Sequence, residues 1–255
     1  MRKLVIGDIH GGYKGLIQVL TMANFDYDND LLISLGDVTD GWSEVAECIE
    51  ELMKINNLIV IKGNHDEWTE RYLKHTLANG SDMYSSLWYD QGGEATYNSY
   101  KKHPELVDKH LKYIEDAKTY YVDEENRIFM HAGFDPTIAL DKQPFLDYGQ
   151  NKNENAMFYW DRKFWSFMVS KSKFGHVEPW KEYKEIYIGH TPTITQFEEG
   201  TPVNIGNVWD MDTGATYSGK LSLMDIETKE LFQSDPLYTL YPNEKGRNGK
   251  FLTKK

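Results

Sequence analysis

Apolar residues in the first quarter of the chain come in short runs that each stop at a polar turn. Lys3–Ile6, Leu31–Leu35 and Leu58–Ile61 read as buried strands and end in Gly7-Asp8, Gly36-Asp37 and Gly63-Asn64-His65-Asp66. Between them the period changes. Leu16, Val19, Leu20 and Ala23 recur at helical spacing over Gly15–Met22, and Val45, Ala46, Ile49, Leu52 and Met53 do so after Ser43, a residue type suited to an N-cap. Three strand–loop–helix units predict a parallel sheet covered by helices on both faces. Residues 67–118 then turn helical in tendency and rich in Trp, Tyr and charge, which predicts a helical insertion beside the sheet. Strand pattern resumes at Tyr120–Val122 and at Arg127–Met130, the latter running into His131-Ala132-Gly133. A helix is predicted over Phe158–Ser170 and a strand over Ile186–Ile188, ending in Gly189-His190. Val203–Val208, Trp209–Met211, Leu221–Ile226 and Glu230–Gln233 alternate apolar and polar residues and predict antiparallel strands. Nothing divides residues 1–242 into two domains, and residues 243–255 read as a polar, basic, loosely ordered tail.

Composition adds limits. The chain has 255 residues, 40% of them hydrophobic and 27% charged, in the range of a folded globular protein. No apolar run is long enough to span a bilayer, and Leu4–Ile6 is too short for the core of a signal peptide. The single cysteine, Cys48, excludes an internal disulfide framework and points to a reducing compartment, with the cytoplasm expected; it sits among Val45, Ile49 and Leu52 and is expected to be buried. Lys plus Arg number 28 and Asp plus Glu 40, a net charge of −12. That field disfavours extended nucleic-acid binding, and any phosphate chemistry needs a local positive source, for which bound metal ions are the obvious candidate.

The polar residues that end the strands carry the chemistry. Asp8 and His10, Asp37, Asn64 and His65, His131, and His190 each follow an apolar strand, each with a glycine close by. The carboxyl ends of parallel strands share one edge of a sheet, so distant residues meet there. Two carboxylates, three imidazoles and an amide oxygen, without a thiolate, suit dications such as Mn, Fe or Zn. A lone Gly-Asp after a strand is usually only a turn; five such turns in order are hard to reach by accident.

Gly7-Asp8-Ile9-His10-Gly11, Gly36-Asp37-Val38-Thr39-Asp40, Gly63-Asn64-His65-Asp66, His131-Ala132-Gly133 and Gly189-His190-Thr191 together resemble the calcineurin-like metallophosphoesterases. The nearer likeness is to the serine/threonine phosphoprotein phosphatases in their bacterial and phage form. Gln91–Thr96 with Ser99-Tyr100, Phe158–Arg162 and Asp212–Ala215 resemble further elements of that branch, so the likeness spans about residues 1–226. It implies a central β-sandwich of two mixed sheets flanked by helices, with the helical insertion between the third and fourth motifs.

Carried over position by position, the resemblance implies that Asp8 and His10 bind a first metal, that Asp37 bridges, and that Asn64, His131 and His190 complete the second. His65 becomes the general acid, Asp40 its orienting partner, and Arg162, with Asn64, a phosphate-binding residue. Two divalent ions are implied, manganese first, with iron or zinc as alternatives. Such a pair about 4 Å apart activates a shared water and clamps phosphoryl oxygens. The implied activity is hydrolysis of phosphomonoesters, foremost in phosphoproteins. A nucleotide phosphohydrolase, acting on diadenosine tetraphosphate or a cyclic nucleotide, is the alternative, and an inactive metal-binding scaffold a distant third. The family pattern continues Asp-Arg-Gly after its second motif, whereas Asp40 is followed by Gly41-Trp42. Arg71 or Lys62 is a candidate to replace that missing Arg. Trp42 reads either as a stacking surface for an aromatic leaving group or as a core anchor. His75, His103, His110 and His176 lie in polar stretches and are expected at the surface.

Overall fold

The structure is a computed structural model that describes residues 1–79, 85–144, 146–148, 151–153 and 155–247. In chain order its first elements are β1 (Lys3–Ile6), α1 (Tyr13–Met22), β2 (Leu31–Ser34), α2 (Val45–Leu52), β3 (Asn57–Val60) and α3 (Asn64–Asn79). The insertion continues with α4 (Ser86–Trp88), α5 (Glu94–Lys102) and α6 (Val107–Glu115). There follow β4 (Tyr120–Val122), β5 (Ile128–Met130), β6 (Leu146–Tyr148), β7 (Asn151–Asn153), α7 (Ala156–Trp160), α8 (Lys163–Ser172) and β8 (Ile186–Ile188). The chain closes with β9 (Val203–Ile205), β10 (Val208–Asp210), β11 (Ser222–Asp225), β12 (Leu231–Gln233) and α9 (Leu237–Leu240).

Two mixed five-stranded sheets result, ordered β12-β11-β1-β2-β3 and β4-β5-β8-β10-β9. β1, β2 and β3 are parallel, with Val5 beside Ile33 and Ile33 beside Ile59. β5, β8 and β10 are parallel in the second sheet. Side chains alternate across each strand, and here both faces are apolar. Leu4, Ile6 and Leu32 pack with Leu16, Val19, Val45, Ile49 and Leu52 of α1 and α2. Val5, Ile33, Leu35 and Ile61 meet Phe129, Tyr187 and Met211 of the other sheet. The far face of that sheet packs Ile128, Met130 and Ile186 on Phe158, Phe164, Trp165 and Met168. The β-sandwich of two mixed sheets that the resemblance implies is what is found, while the strand pattern's expectation of helices on both faces of the first sheet is corrected: the second sheet covers one of them.

Three local expectations also change, and the open reading of Trp42 is decided. Ser43 does not cap α2, whose N-cap is Glu44; the Ser43 hydroxyl donates instead to Glu244 at 2.7 Å. The helix expected over Phe158–Ser170 breaks at Asp161-Arg162, because the Asp161 carboxylate accepts the Phe164 amide at 2.8 Å and starts α8 anew. His110 is buried, not at the surface, with Tyr100 at 3.1 Å and Glu50 at 2.8 Å on its two ring nitrogens. Trp42 is fully buried: its indole N–H donates to the Ala215 carbonyl at 3.0 Å and its ring stacks on Tyr241. It is a core anchor and offers no surface to a ligand.

Residues 243–247, read from sequence as the start of a loose tail, are docked on this anchor through Ser43–Glu244 and a bond from the Arg247 amide to the Thr216 carbonyl. Residues 248–255 lie outside the described residues. No helix among the described residues is long and apolar enough to cross a membrane. Trp42→Ala is expected to lower the free energy of urea unfolding by about 3–5 kcal/mol. A loss below about 1 kcal/mol would show that the indole is not part of the core.

Candidate active site

The carboxyl ends of β1, β2, β3, β5 and β8 meet along one edge of the sandwich; backbone bonds join the turns within each sheet, and the His190 amide donates across the sheets to the Asp8 carboxylate at 3.1 Å. The His10 amide donates to the Asp37 carbonyl at 2.8 Å and the Gly189 amide to the His131 carbonyl at 2.8 Å. Two of the glycines are required by close approach. A Cβ at Gly63 would lie 2.1 Å from Asp37 Oδ1, and one at Gly189 2.2 Å from Asp8 Oδ1. Among the described residues seven non-glycine residues have positive φ, and His10, Asp37, Asp40 and His190 are four of them. Backbone strain is thus concentrated where the turns present side chains to the site.

Asp8, His10, Asp37, Asn64, His65, Asp40, His131 and His190, all singled out from sequence, are buried and brought together. Two three-residue groups could each hold a metal ion: Asp8, His10 and Asp37, and Asp37, His131 and His190, with ligand atoms in each group within 4.8 Å of one another. Asp37 belongs to both, its Oδ2 lying 3.6 Å from His10 Nε2 and 3.3 Å from His131 Nε2.

The donor chemistry fits cations. His10 Nδ1 faces the Thr39 carbonyl at 3.0 Å and His131 Nδ1 the Leu35 carbonyl at 2.8 Å. A carbonyl only accepts, so both hydrogens sit on Nδ1 and both Nε2 lone pairs point inward. His131 Nε2 then meets two further acceptors, Asp37 Oδ2 and Asn64 Oδ1, the latter at 3.1 Å. His190 Nε2 is buried with no partner. Lone pairs that converge in this way call for positive charge, and, outweighing the cost of burial, the Asp37 carboxylate holds the His131 imidazole above its usual range.

Charge inside the site is otherwise one-sided. Burial and the neighbouring Asp212 and Asp37 push Asp8 well above the usual carboxylate range. Burial likewise raises Asp66 to about 6 and Asp212 to about 6. Asp66, which sequence reading left without a role, accepts the amides of Val38 at 3.0 Å, Thr39 at 3.2 Å and Gly63 at 3.0 Å and so ties two of the turns together.

His65 Nδ1 lies 2.6 Å from Asp40 Oδ2, and its Nε2 is buried with no partner. Asp40 is further held by Trp88 Nε1 of α4 at 3.0 Å and by Thr96 Oγ1 of α5 at 2.7 Å. Burial pushes Asp40 up to about 7 and His65 down to about 3, the Arg247 charge adding to the latter. The two therefore compete for one proton. While the pair holds that proton, Nε2 of His65 carries a hydrogen that can be donated.

Arg162, in the break between α7 and α8, donates from Nη1 to the His190 carbonyl and Thr191 Oγ1, both at 3.1 Å. Arg71 is paired with Glu67 at 2.8 Å and Lys62 with Glu70 at 2.6 Å. Neither offers a free cation in place of the Arg absent after Asp40. Sequence reading missed Tyr217 and Arg247, whose charges and dipoles bear on the site from the C-terminal part of the chain.

The fold and this buried edge define a phosphoesterase architecture, and comparison with known proteins agrees. The family model described as calcineurin-like phosphoesterase matches residues 1–230, and the chain belongs to that family. It is 24% identical over 229 residues to serine/threonine-protein phosphatase 1 of Salmonella typhimurium, covering 88% of this chain and 91% of the relative. It is 22% identical over 279 residues to the symmetrical bis(5'-nucleosyl)-tetraphosphatase of Neisseria meningitidis serogroup A, covering 91% and 95%. Among solved structures, a metallophosphoesterase from Sphaerobacter thermophilus superposes with a TM-score of 0.53 at 16% identity, over 92% of this chain and 87% of that one. A protein serine/threonine phosphatase from Saccharomyces cerevisiae superposes with a TM-score of 0.56 at 12% identity, over 92% and 80%. These likenesses show the shared fold. The chain is a metallophosphoesterase, of a family that uses divalent metal ions.

The raised carboxyls make stability depend on pH in a defined direction. Asp40, Asp66 and Asp212 bind protons more tightly folded than unfolded, so the stability they contribute is present at low pH and lost as pH rises through about 6–7. The Tm of EDTA-treated protein is expected to fall between about pH 5 and pH 8, and excess Mn(II) to remove most of that fall. A flat or rising Tm in EDTA would contradict this.

Proposed function

We propose that the protein is a dinuclear metal-dependent phosphatase of phosphomonoesters, with phosphoserine and phosphothreonine in proteins as its leading substrates. The observation that carries this reading is the buried His65–Asp40 pair beside the two acceptor groups that share Asp37. Asp8, His10 and Asp37 would hold one ion, and Asp37, Asn64, His131 and His190 the other. Manganese leads, since mixed carboxylate, imidazole and amide ligands suit it, with iron or zinc as alternatives. When bound, such ions supply an activated water and neutralise phosphoryl charge.

The remaining steps belong to side chains of this chain. Arg162 binds phosphoryl oxygens through N–H groups left over from its bonds to the His190 carbonyl and Thr191. His65 Nε2 gives its proton to the leaving alkoxide oxygen, a poor leaving group without one. Asp40 holds the ring in the donating orientation and stabilises its charge. The retention of this pair counts against an inactive scaffold. Cys48, buried at the core, supports a reducing, cytoplasmic setting.

A nucleotide reading has its own observation. Trp68 lies edge-on to His65 at 5.1 Å and to Trp160 at 4.8 Å, an aromatic wall beside the acid that a base could stack on. The tetraphosphatase relatives add weight to it. The ratio of kcat/KM on phosphoserine peptides to that on diadenosine tetraphosphate, with Mn(II), separates the two readings. A ratio above one is expected, and a ratio well below one reverses the order. His65→Asn is expected to lower kcat on phosphoserine peptides by about 100-fold or more. Unchanged turnover in that variant would exclude His65 as the acid.

A further inference from the structure

Position 41 has no room for a guanidinium. Gly41 has φ +94°, and a Cβ there would lie 2.7 Å from Thr216 Oγ1 and 3.1 Å from His10 Cβ. On its other side the Gly41 amide is fixed to the Gly92 carbonyl at 3.0 Å. The chain thus turns out of Asp40 with no side chain of its own to offer an anion.

The C-terminal segment lies over this gap. Tyr241 stacks on Trp42 with ring centroids 5.1 Å apart, and Glu244 accepts both the amide of Ser43 at 3.0 Å and its hydroxyl at 2.7 Å. The Arg247 amide donates to the Thr216 carbonyl at 3.1 Å, the same residue whose hydroxyl faces Gly41. From there the Arg247 guanidinium reaches Gln91 Oε1, with Nη2 at 2.9 Å and Nε at 3.3 Å, and lies 5.8 Å from the ring centre of Tyr217.

Both of its supports are neutral. Among the described residues no carboxylate lies within salt-bridge distance of Arg247, although the chain carries a net charge of −12. An amide oxygen and an aromatic face fix the orientation of a guanidinium without cancelling its charge. Nη1 and one Nη2 hydrogen are left to bind something else. The segment also borders the reaction edge, since Thr216, which holds the Arg247 amide, and the metal-ligand candidate His10 both pack against Gly41, the residue next to Asp40.

We propose that Arg247, delivered from the C-terminal segment and oriented by Gln91 and Tyr217, is a second phosphate-binding residue that acts with Arg162 on the substrate's phosphoryl group. The assignment rests on the phosphoesterase reading of the same edge. It also explains how residues outside the span matched by the family model complete the site: the anchor that Trp42 makes with Tyr241 serves to place Arg247.

The test is calorimetric titration of inorganic phosphate into the full-length, Mn(II)-loaded protein, its Arg247→Ala and Arg247→Lys variants, and Gln91→Ala. Arg247→Ala is expected to weaken phosphate binding by about 10-fold or more, with bound Mn(II) and Tm unchanged. Arg247→Lys is expected to recover only part, because an ammonium lacks the two-pronged fork. Gln91→Ala, which keeps the charge and removes its brace, is expected to weaken binding by a smaller factor. Unchanged phosphate affinity in Arg247→Ala would overturn the proposal. So would a loss of affinity that tracks loss of Mn(II), since Arg247 would then only support the fold. Wild-type protein that binds phosphate in this Arg247-dependent way but hydrolyses no phosphoester would count against the proposed reaction and leave this assignment standing.

Discussion

Six carboxylates, Asp8, Asp37, Asp40, Asp66, Asp210 and Asp212, are buried near one edge of the sandwich with no buried lysine or arginine between them among the described residues. Burying ionised acids together is among the most costly arrangements a protein can adopt, and the ways out are protonation or a cation. The site is arranged for both. Carboxyls around its rim are pushed toward neutrality, while the imidazoles of His10 and His131 have their hydrogens tied outward and their lone pairs turned in. Everything else about the molecule follows from holding these acceptors at contact distance without letting them relax apart.

The sandwich is what prevents relaxation. Three parallel strands of one sheet and two of the other end on the same edge, where the bond from the His190 amide to the Asp8 carboxylate ties the second sheet to the first. Rigidity from β-strands would not by itself orient the acid. That task falls to the helical insertion, whose Trp88 and Thr96 grip Asp40, so the proton donor is set by a part of the chain remote in sequence from the motif that contains it. A site assembled in this way is precise because each reacting group is held by at least two elements.

Much of this was legible in the sequence. The five Gly-flanked turns stood out because strand ends, ligand-type residues and glycines coincide there, and every residue of that set lies in the buried edge. The extent of the first strands followed from their apolar runs. The second sheet's role as a cover followed only from the family resemblance, since a strand buried on both faces looks the same whether helices or another sheet lie above it. The break at Asp161 was hidden by an unbroken aromatic run that a single side-chain cap interrupts. His110 was misplaced because its polar neighbours face outward while its own ring is enclosed by Tyr100 and Glu50. Arg247 was invisible for a different reason: its position depends on Trp42, Tyr241 and Thr216 packing across 200 residues of chain, and no local pattern records that.

The claim on which the rest stands is that Asp37 is shared by two metal ions. It is tested most directly by titrating metal-free protein with Mn(II), counting bound ions and recording the electron paramagnetic resonance spectrum of the loaded form. Two Mn(II) per chain with an exchange-coupled spectrum are expected, reduced to at most one uncoupled ion in Asp37→Asn. A single uncoupled ion in the wild type, or a coupled pair that survives the loss of the Asp37 carboxylate, would contradict the account.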